Sequence, residues 1–233
     1  RPAPGPALAA DVNDERARAA ITYDNQTVQV TQGFDQIASV ALDGERVTSL
    51  ALSADATRLF VSGLDHLEVV QVDDPSRRTT TEIRAGTFVL SADRSLLVVS
   101  EPEGTISFWD AETLERIGAD LPGATPYPTL ALTPDESTLV VVNSRGALQL
   151  FDVPTRTQLG VELPVDLPQA TMAPDSSVAY LARADALVGL SLDRSDWLDR
   201  ACRAAGRNLT RAEWATYVGG TPRATCPDWP APA

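Results

Sequence analysis

Few side chains in this 233-residue chain are equipped for chemistry, and their spacing limits what that chemistry could be. His66 is the only imidazole, so a Ser–His–Asp proton relay or a histidine-based metal site would have to pass through it. It lies in the stretch Gly63-Leu64-Asp65-His66 between two apolar runs, where a turn residue is expected rather than a base. Cys202 and Cys226 are the only cysteines. In an exported protein such a pair reads as a disulfide, and in a cytosolic one as two buried thiols. Together with one histidine they cannot supply four zinc ligands, so no metal is expected. All 19 cationic side chains are arginine, which excludes chemistry that needs a neutral lysine, a Schiff base or a phosphate-loop lysine. Asp73-Asp74 and the pair Glu101 and Glu103 read as solvated loop carboxylates. No glycine-rich phosphate loop or calcium-loop spacing is present, and no catalytic residue or cofactor is expected.

The formal charge of −13 and pI of about 4.4 argue against a phosphate-binding surface, because nucleic-acid affinity comes largely from cationic neutralisation. No apolar run approaches the ~18–20 residues needed to cross a bilayer. Neither nucleic acid nor membrane is therefore an expected partner. A start at Arg1, with no hydrophobic signal core, reads as a piece of a longer chain, with a cytoplasmic location expected and secretion as the alternative.

What positions these side chains is a repeat. Asp14, Asp55, Asp93, Asp135 and Asp175 each open a turn before an apolar run, at intervals close to the ~40 residues of β-propeller blades. Each unit reads as a Leu/Val-rich strand, a tight turn, and a second strand alternating apolar with polar residues, as in Ile106-Ser107-Phe108-Trp109. Leu50-Ala51-Leu52, Val89-Leu90 and Leu130-Ala131-Leu132 add a short strand ahead of the turn, and the segments 114–120 and 158–163 an outer one. The expected fold is all-β, with about five four-stranded blades over residues 11–193 and a linker over 1–10. Trp109 is expected to pack between blades.

After Asp193 the alternation stops, and residues 194–233 read as a helical and Pro-rich tail. Ser195 is the expected N-cap of a first helix and Gly206 its left-handed stop, with Trp197, Leu198, Ala201, Cys202 and Ala205 on the face that docks on the last blade. Thr210 and Glu213 form a capping box for a second helix that should bury Trp214 and Tyr217.

The Ser-Ala-Asp and Thr-Pro-Asp turns with the Phe108-Trp109-Asp110 and Leu150-Phe151-Asp152 strand ends resemble bacterial WD repeats. The chain departs from that pattern in lacking the Gly-His dipeptide and in carrying Ala56, Arg94, Glu136 and Ser176 where glycine is usual. The tail from Trp197 through the 201–210 run, Glu213-Trp214 and the 222–227 run resembles the C-terminal end of actinobacterial STAND-type NTPase regulators, in which a BTAD or other effector segment precedes an NTPase module. The resemblance implies a non-catalytic protein-interaction or autoinhibitory sensor module of a bacterial regulator. Its partner would be a protein or other domains of the parent chain. Binding should then use loops at one rim, where His66, Glu101, Glu103, Tyr127, Arg145 and Arg183 are the candidates, with Arg46 and Arg84 beside them. Tyr127, held between prolines, would lose little entropy on binding. Two other readings stand beside this one. The first is an extracellular solute- or protein-binding propeller, which a Cys202–Cys226 disulfide would favour. The second is a propeller hydrolase, which would need acid–base groups converging on a central channel, where Val, Leu and Ala instead dominate the inner strands.

Overall fold

The computed structural model describes residues 8–23, 27–42, 46–63, 65–121, 125–164, 170–172, 178–182 and 187–230. They form five antiparallel sheets, each a simple meander in chain order, followed by two short helices. The first sheet holds β1 (Ala9–Asn13), β2 (Arg18–Thr22), β3 (Thr27–Gln32) and β4 (Asp35–Ala41). The second holds β5 (Ser49–Leu52), β6 (Arg58–Ser62), β7 (Leu67–Gln71) and β8 (Arg78–Thr80). The third has β9 (Thr87–Leu90), β10 (Leu96–Ser100) and β11 (Ile106–Asp110). The fourth has β12 (Thr129–Leu132), β13 (Thr138–Val142), β14 (Ala147–Asp152) and β15 (Thr157–Pro164). The fifth has β16 (Ala170–Met172), β17 (Val178–Ala182) and β18 (Leu187–Ser191).

The Leu/Val-rich runs are explained by burial on both faces. In β13, Leu139 and Val141 pack towards Val98 and Phe108 of the third sheet, while Val140 and Val142 pack towards Ala179 and Leu190 of the fifth. The strand period of two sends successive side chains to opposite faces, so a strand sandwiched between sheets must be apolar at every position. The same device recurs in β10, where Leu97 and Val99 face the second sheet and Val98 the fourth. Four apolar layers result, each between consecutive sheets. Phe60, Phe108 and Phe151 are fully buried, one in each of the second, third and fourth sheets, and each burial contributes about 2–3 kcal/mol.

Each aspartate turn is built alike. Ser53, Ser91 and Thr133 are buried, and their hydroxyls accept from the backbone N–H of Arg58 (3.0 Å), Leu96 (2.9 Å) and Thr138 (2.9 Å). Asp55, Asp93 and Asp135 then accept from the N–H of Thr57, Ser95 and Ser137. The residue after each aspartate is left-handed, with φ of 55° at Ala56, 62° at Arg94 and 58° at Glu136. The chain thus keeps the glycine conformation without the glycine. Asp14 differs, opening a 3-10 turn capped by Asn13, and Asp175 lies outside the described residues.

Consecutive sheets meet chiefly through their first strands, β1 with β5, β5 with β9, β9 with β12 and β12 with β16. Arg94, in the β9–β10 turn, also reaches back to the first sheet. Its guanidinium makes two bonds to Asp11 (2.7 and 3.2 Å) and donates to the carbonyls of Leu52 (2.6 Å) and Val12 (2.5 Å). Flat sheets stacked ~10 Å apart would put the first and third two spacings from one another, beyond one side chain. The inner edges therefore converge. Among the described residues, no comparable packing joins β16 to β1.

Several expectations are corrected. Ala9 and Ala10, the last two residues of the expected linker, already belong to β1, whose backbone pairs with β2 from Ala9 onward, and residues 1–7 lie outside the described residues. The segment 114–120 is not a strand; the outer edge of the third sheet is reduced to single bridges from Trp109 to Arg116 and from Ile106 to Leu121. Leu114 at φ 60° turns the chain there, and Arg116 lies over the Trp109 ring, 5.4 Å from its centroid. Trp109 itself is half-buried against the layer between the second and third sheets, as expected.

In the tail, α1 (Arg194–Ala205) starts two residues earlier than expected. Asp193 is the N-cap, and Ser195 donates to it through both its N–H and its hydroxyl. Gly206, at φ 65°, closes the helix as expected. Helix α2 (Arg211–Tyr217) has the expected capping box of Thr210 and Glu213, and buries Trp214. Tyr217 instead points outward and is 78 % exposed. Of the expected docking face of α1, Trp197 alone reaches the layer between the fourth and fifth sheets; Leu198, Ala201 and Ala205 are exposed, and Cys202 is buried within the tail. No helix among the described residues is long and apolar enough to cross a membrane.

Candidate interaction rim

In a meander, the loop between the second and third strands and the connection to the next sheet leave from the same edge, opposite the aspartate turns. The sequence candidates lie on that edge: His66 in the second sheet, Glu101 and Glu103 in the third, Tyr127 in the connection to the fourth, and Arg145 in the fourth. Arg183 lies outside the described residues.

The turn at His66 is closed by the Gly63 N–H donating to the His66 carbonyl (3.2 Å). The imidazole Nδ1 lies 3.2 Å from Asp65, and the ring borders a small cavity of about 80 Å3 with Ser62, Glu68 and Thr80. Glu103 pairs with Arg84, so the loop of the third sheet is tied to the connection that enters it. The hydrogen bond from Arg84 holds the Glu103 carboxyl below its ordinary range. Glu101 is 3.3 Å from Arg116, which also holds Asp120.

Asn143 shapes the turn that carries Arg145. Its carbonyl oxygen accepts from the N–H groups of Arg145 (2.9 Å) and Ala147 (3.1 Å), and its amide donates to Glu162 (2.8 Å). Arg145 is exposed. Tyr127 adopts φ 54° and lays its ring over Gly86, where a Cβ would come within 3.0 Å of the ring. Nearby, Ser144 donates through its N–H to Thr125 (2.9 Å), and Thr87 donates to the Pro128 carbonyl (2.9 Å). Loop and connection are therefore stitched together between the third and fourth sheets. His66 and Arg145 stand on different sheets at either end of this stitched region.

The sequence offered the opposite edge only as turn formers and not as a binding edge, yet it holds the more strongly perturbed groups. Partial burial pushes the Asp55 carboxyl upward, but bonds from Ser53 and Thr57 and the charge of Arg58 outweigh it and bring the pKa to about 2. A bond from the Ser91 hydroxyl lowers Asp93. Glu136 is raised by burial and by the neighbouring Asp93 charge, with which its carboxyl shares a hydrogen bond. Arg58 pairs with Glu112 across to the third sheet. The signal for Arg94 was present as an arginine where the repeat calls for glycine; nothing in the sequence pointed to Asp11 as its partner.

Among the described residues, no group of three or more His, Cys, Asp or Glu side chains is placed to hold a metal. The mapped rim carries charges already set in pairs, a tyrosine ring seated over Gly86, and an exposed arginine. The two cysteines, read from sequence as buried thiols in a cytosolic protein or as a disulfide in an exported one, are joined by a disulfide with Cα atoms 5.5 Å apart. The capped end of α1 places Cys202 beside the terminal coil. Compared with protein-family models the chain matches none, and no curated protein matches it.

Proposed function

We propose that the chain is a segment of a WD-repeat-like β-propeller that serves as a non-catalytic protein-interaction or autoinhibitory sensor module of a bacterial signalling regulator, of the STAND NTPase-associated kind that the tail resembles. The observation that carries the propeller reading is Arg94, which ties the third sheet to the first and makes the inner edges converge. Such a scaffold holds its loops rigidly while leaving them free to vary, the arrangement through which repeat folds bind partners. The partner is a protein or another domain of the parent chain, bound through the rim of His66, Glu103, Tyr127 and Arg145, without nucleic acid. The function rests on the resemblance and on that display of loops.

The test is photo-crosslinking in the source cell, with the photoreactive residue at Arg145 or Glu103 and, as control, at Glu112 on the opposite edge. The expected result is one defined crosslinked species, another protein or an upstream part of the same polypeptide, from the rim positions alone. Equal products from both edges, or none from the rim, would overturn the assignment.

One observation favours the second reading, an extracellular binding propeller. The Cys202–Cys226 bridge belongs most naturally to an oxidising compartment. Intact mass of the protein from its own host, with and without reduction and alkylation, separates the two. Two free thiols support the cytosolic regulator and a bridged chain the exported one.

A further inference from the structure

The tail gathers both cysteines of the chain, so thiol–disulfide chemistry can act at this place alone. The bridge joins the end of α1 to a terminal segment, 219–230, that contains neither helix nor strand. Within that segment Cys226 is the single buried residue, at 6 % exposure. Apolar burial therefore does little to hold the segment down.

Besides the bridge, the segment is held mainly by one side chain. Asn208, 5 % exposed between the two helices, donates from its amide nitrogen to the carbonyls of Cys226 (3.1 Å), Trp229 (3.0 Å) and Pro230 (2.7 Å). Its carbonyl oxygen accepts from the N–H groups of Thr225 (2.9 Å) and Cys226 (2.8 Å). Trp214 adds a bond from its indole to the Gly219 carbonyl (2.8 Å) at the segment's start. The sheets are gripped elsewhere, at the first turn of α1. There Trp197 packs with Leu159 and Leu190 and donates to the Ser191 carbonyl. None of the four apolar layers includes a residue of 219–230.

We propose that this tail is a redox-conditional clasp, in which the Cys202–Cys226 bridge holds the terminal segment on the helices and its reduction releases that segment while the five sheets stay folded. The reductant is a dithiol. Its thiolate attacks one cysteine sulfur, the S–S bond breaks, and a mixed disulfide forms. The second thiol of the reductant then displaces the remaining cysteine. Two electrons and two protons pass to the protein, leaving Cys202 and Cys226 as thiols and the reductant as its own disulfide. Local opening of a segment with one buried residue admits the reductant to a bridge that is otherwise covered. Closing a loop of this size with a covalent link favours the docked state by on the order of 100-fold, so its loss shifts the segment towards release. This inference does not depend on what the rim binds.

Hydrogen exchange read by mass spectrometry on the whole purified chain, before and after dithiothreitol, tests it. The starting sample must show the bridge by intact mass; two free thiols in a chain prepared under oxidising conditions would refute the proposal at once. On reduction, the amides of Thr225 and Cys226 should exchange on the order of 100-fold faster, while those of β6, β10, β13 and the first turn of α1 keep their rates. The double variant Cys202→Ser, Cys226→Ser should behave as the reduced protein without reductant. In Asn208→Ala the Thr225 and Cys226 amides lose their own acceptor, so retention of the segment is read there by limited proteolysis, which should cut within 219–230 only after the bridge is reduced. Unchanged exchange at Thr225 and Cys226 would show that Asn208 alone suffices. Accelerated exchange throughout the sheets would make the bridge a general staple. Either outcome overturns the clasp.

Discussion

Replacing Arg94 by alanine removes the guanidinium that ties the third sheet to the first two, and its cost can be worked from the contacts. Two bonds to the Asp11 carboxylate and one each to the Leu52 and Val12 carbonyls are lost, leaving Asp11 with the Leu52 N–H (2.8 Å). Charged hydrogen bonds contribute about 1.5–3 kcal/mol, and leaving a partner uncompensated in the interior costs about 3–5 kcal/mol. The side chains of Arg94 and Asp11 are 16 % and 22 % exposed, so water recovers part of this and a loss of about 2–3 kcal/mol is expected. Near the melting point of a domain this size, that lowers Tm by about 4–12 °C. Alanine keeps the left-handed strain at φ 62°; glycine relieves about 1 kcal/mol of it, so Arg94→Gly should melt about 2–4 °C above Arg94→Ala. The assay is thermal unfolding by circular dichroism, with Asp11→Ala and the double variant completing a cycle. Asp11→Ala on its own should lose a similar amount, and the double variant little more than either single one. Additive single effects, or a Tm within 2 °C of wild type for Arg94→Ala, would refute the clamp and with it the argument that the inner edges converge.

Other expectations follow from neighbouring residues. Glu136→Gly should raise Tm by about 2–4 °C at pH 7, since it removes both a left-handed non-glycine at φ 58° and the repulsion with Asp93; a fall in the same thermal scan would refute this. Asp55 has its folded pKa depressed to about 2, so its contribution is present above about pH 4 and lost as pH falls towards 2. Because Asp55 is exposed, that contribution is discounted to about 1 kcal/mol, and the acid limb of a stability–pH curve should flatten by this amount in Asp55→Asn. Gly86→Ala should displace the Tyr127 ring at a cost of about 1–3 kcal/mol, read as a lower Tm with faster nitration of Tyr127; unaltered nitration would show that the ring is not seated there. Trp197→Ala should free α1 from the sheets, with rapid exchange of its amides and sheet protection retained.

The chain's own pattern determined the local devices. Aspartates spaced near 40 residues, from Asp55 onward each two positions after a small hydroxyl or alanine and ahead of a strand run, dictate a tight turn into a strand, because the hydrogen bonds that make the turn lie within five residues. Gly206 and the Thr210–Glu213 capping box were legible for the same reason: a helix end is satisfied by its neighbours. The choice of Asp193 over Ser195 as N-cap was not, since both side chains fit and the exit from β18 decides where the helix begins. Tyr217 followed the helical period but faces water, because α2 buries Trp214, whose indole bonds to Gly219 at the start of the terminal coil, and among the described residues no broad apolar surface lies against the helix.

Tertiary structure alone decided which distant residues meet. Arg94 could be read as an oddity in a turn, but its partner Asp11 lies 83 residues away and is selected by the convergence of the sheets. The union of Cys202 with Cys226 likewise depends on the terminal coil returning to α1 under the hold of Asn208, a residue with no sequence signal of its own. The rim residues share an edge because a meander sends equivalent loops the same way, which the repeat foretells. Which of them pair, Arg84 with Glu103 and Tyr127 with Gly86, is set by distances between sheets, and these follow from how four apolar layers pack rather than from any local run of residues.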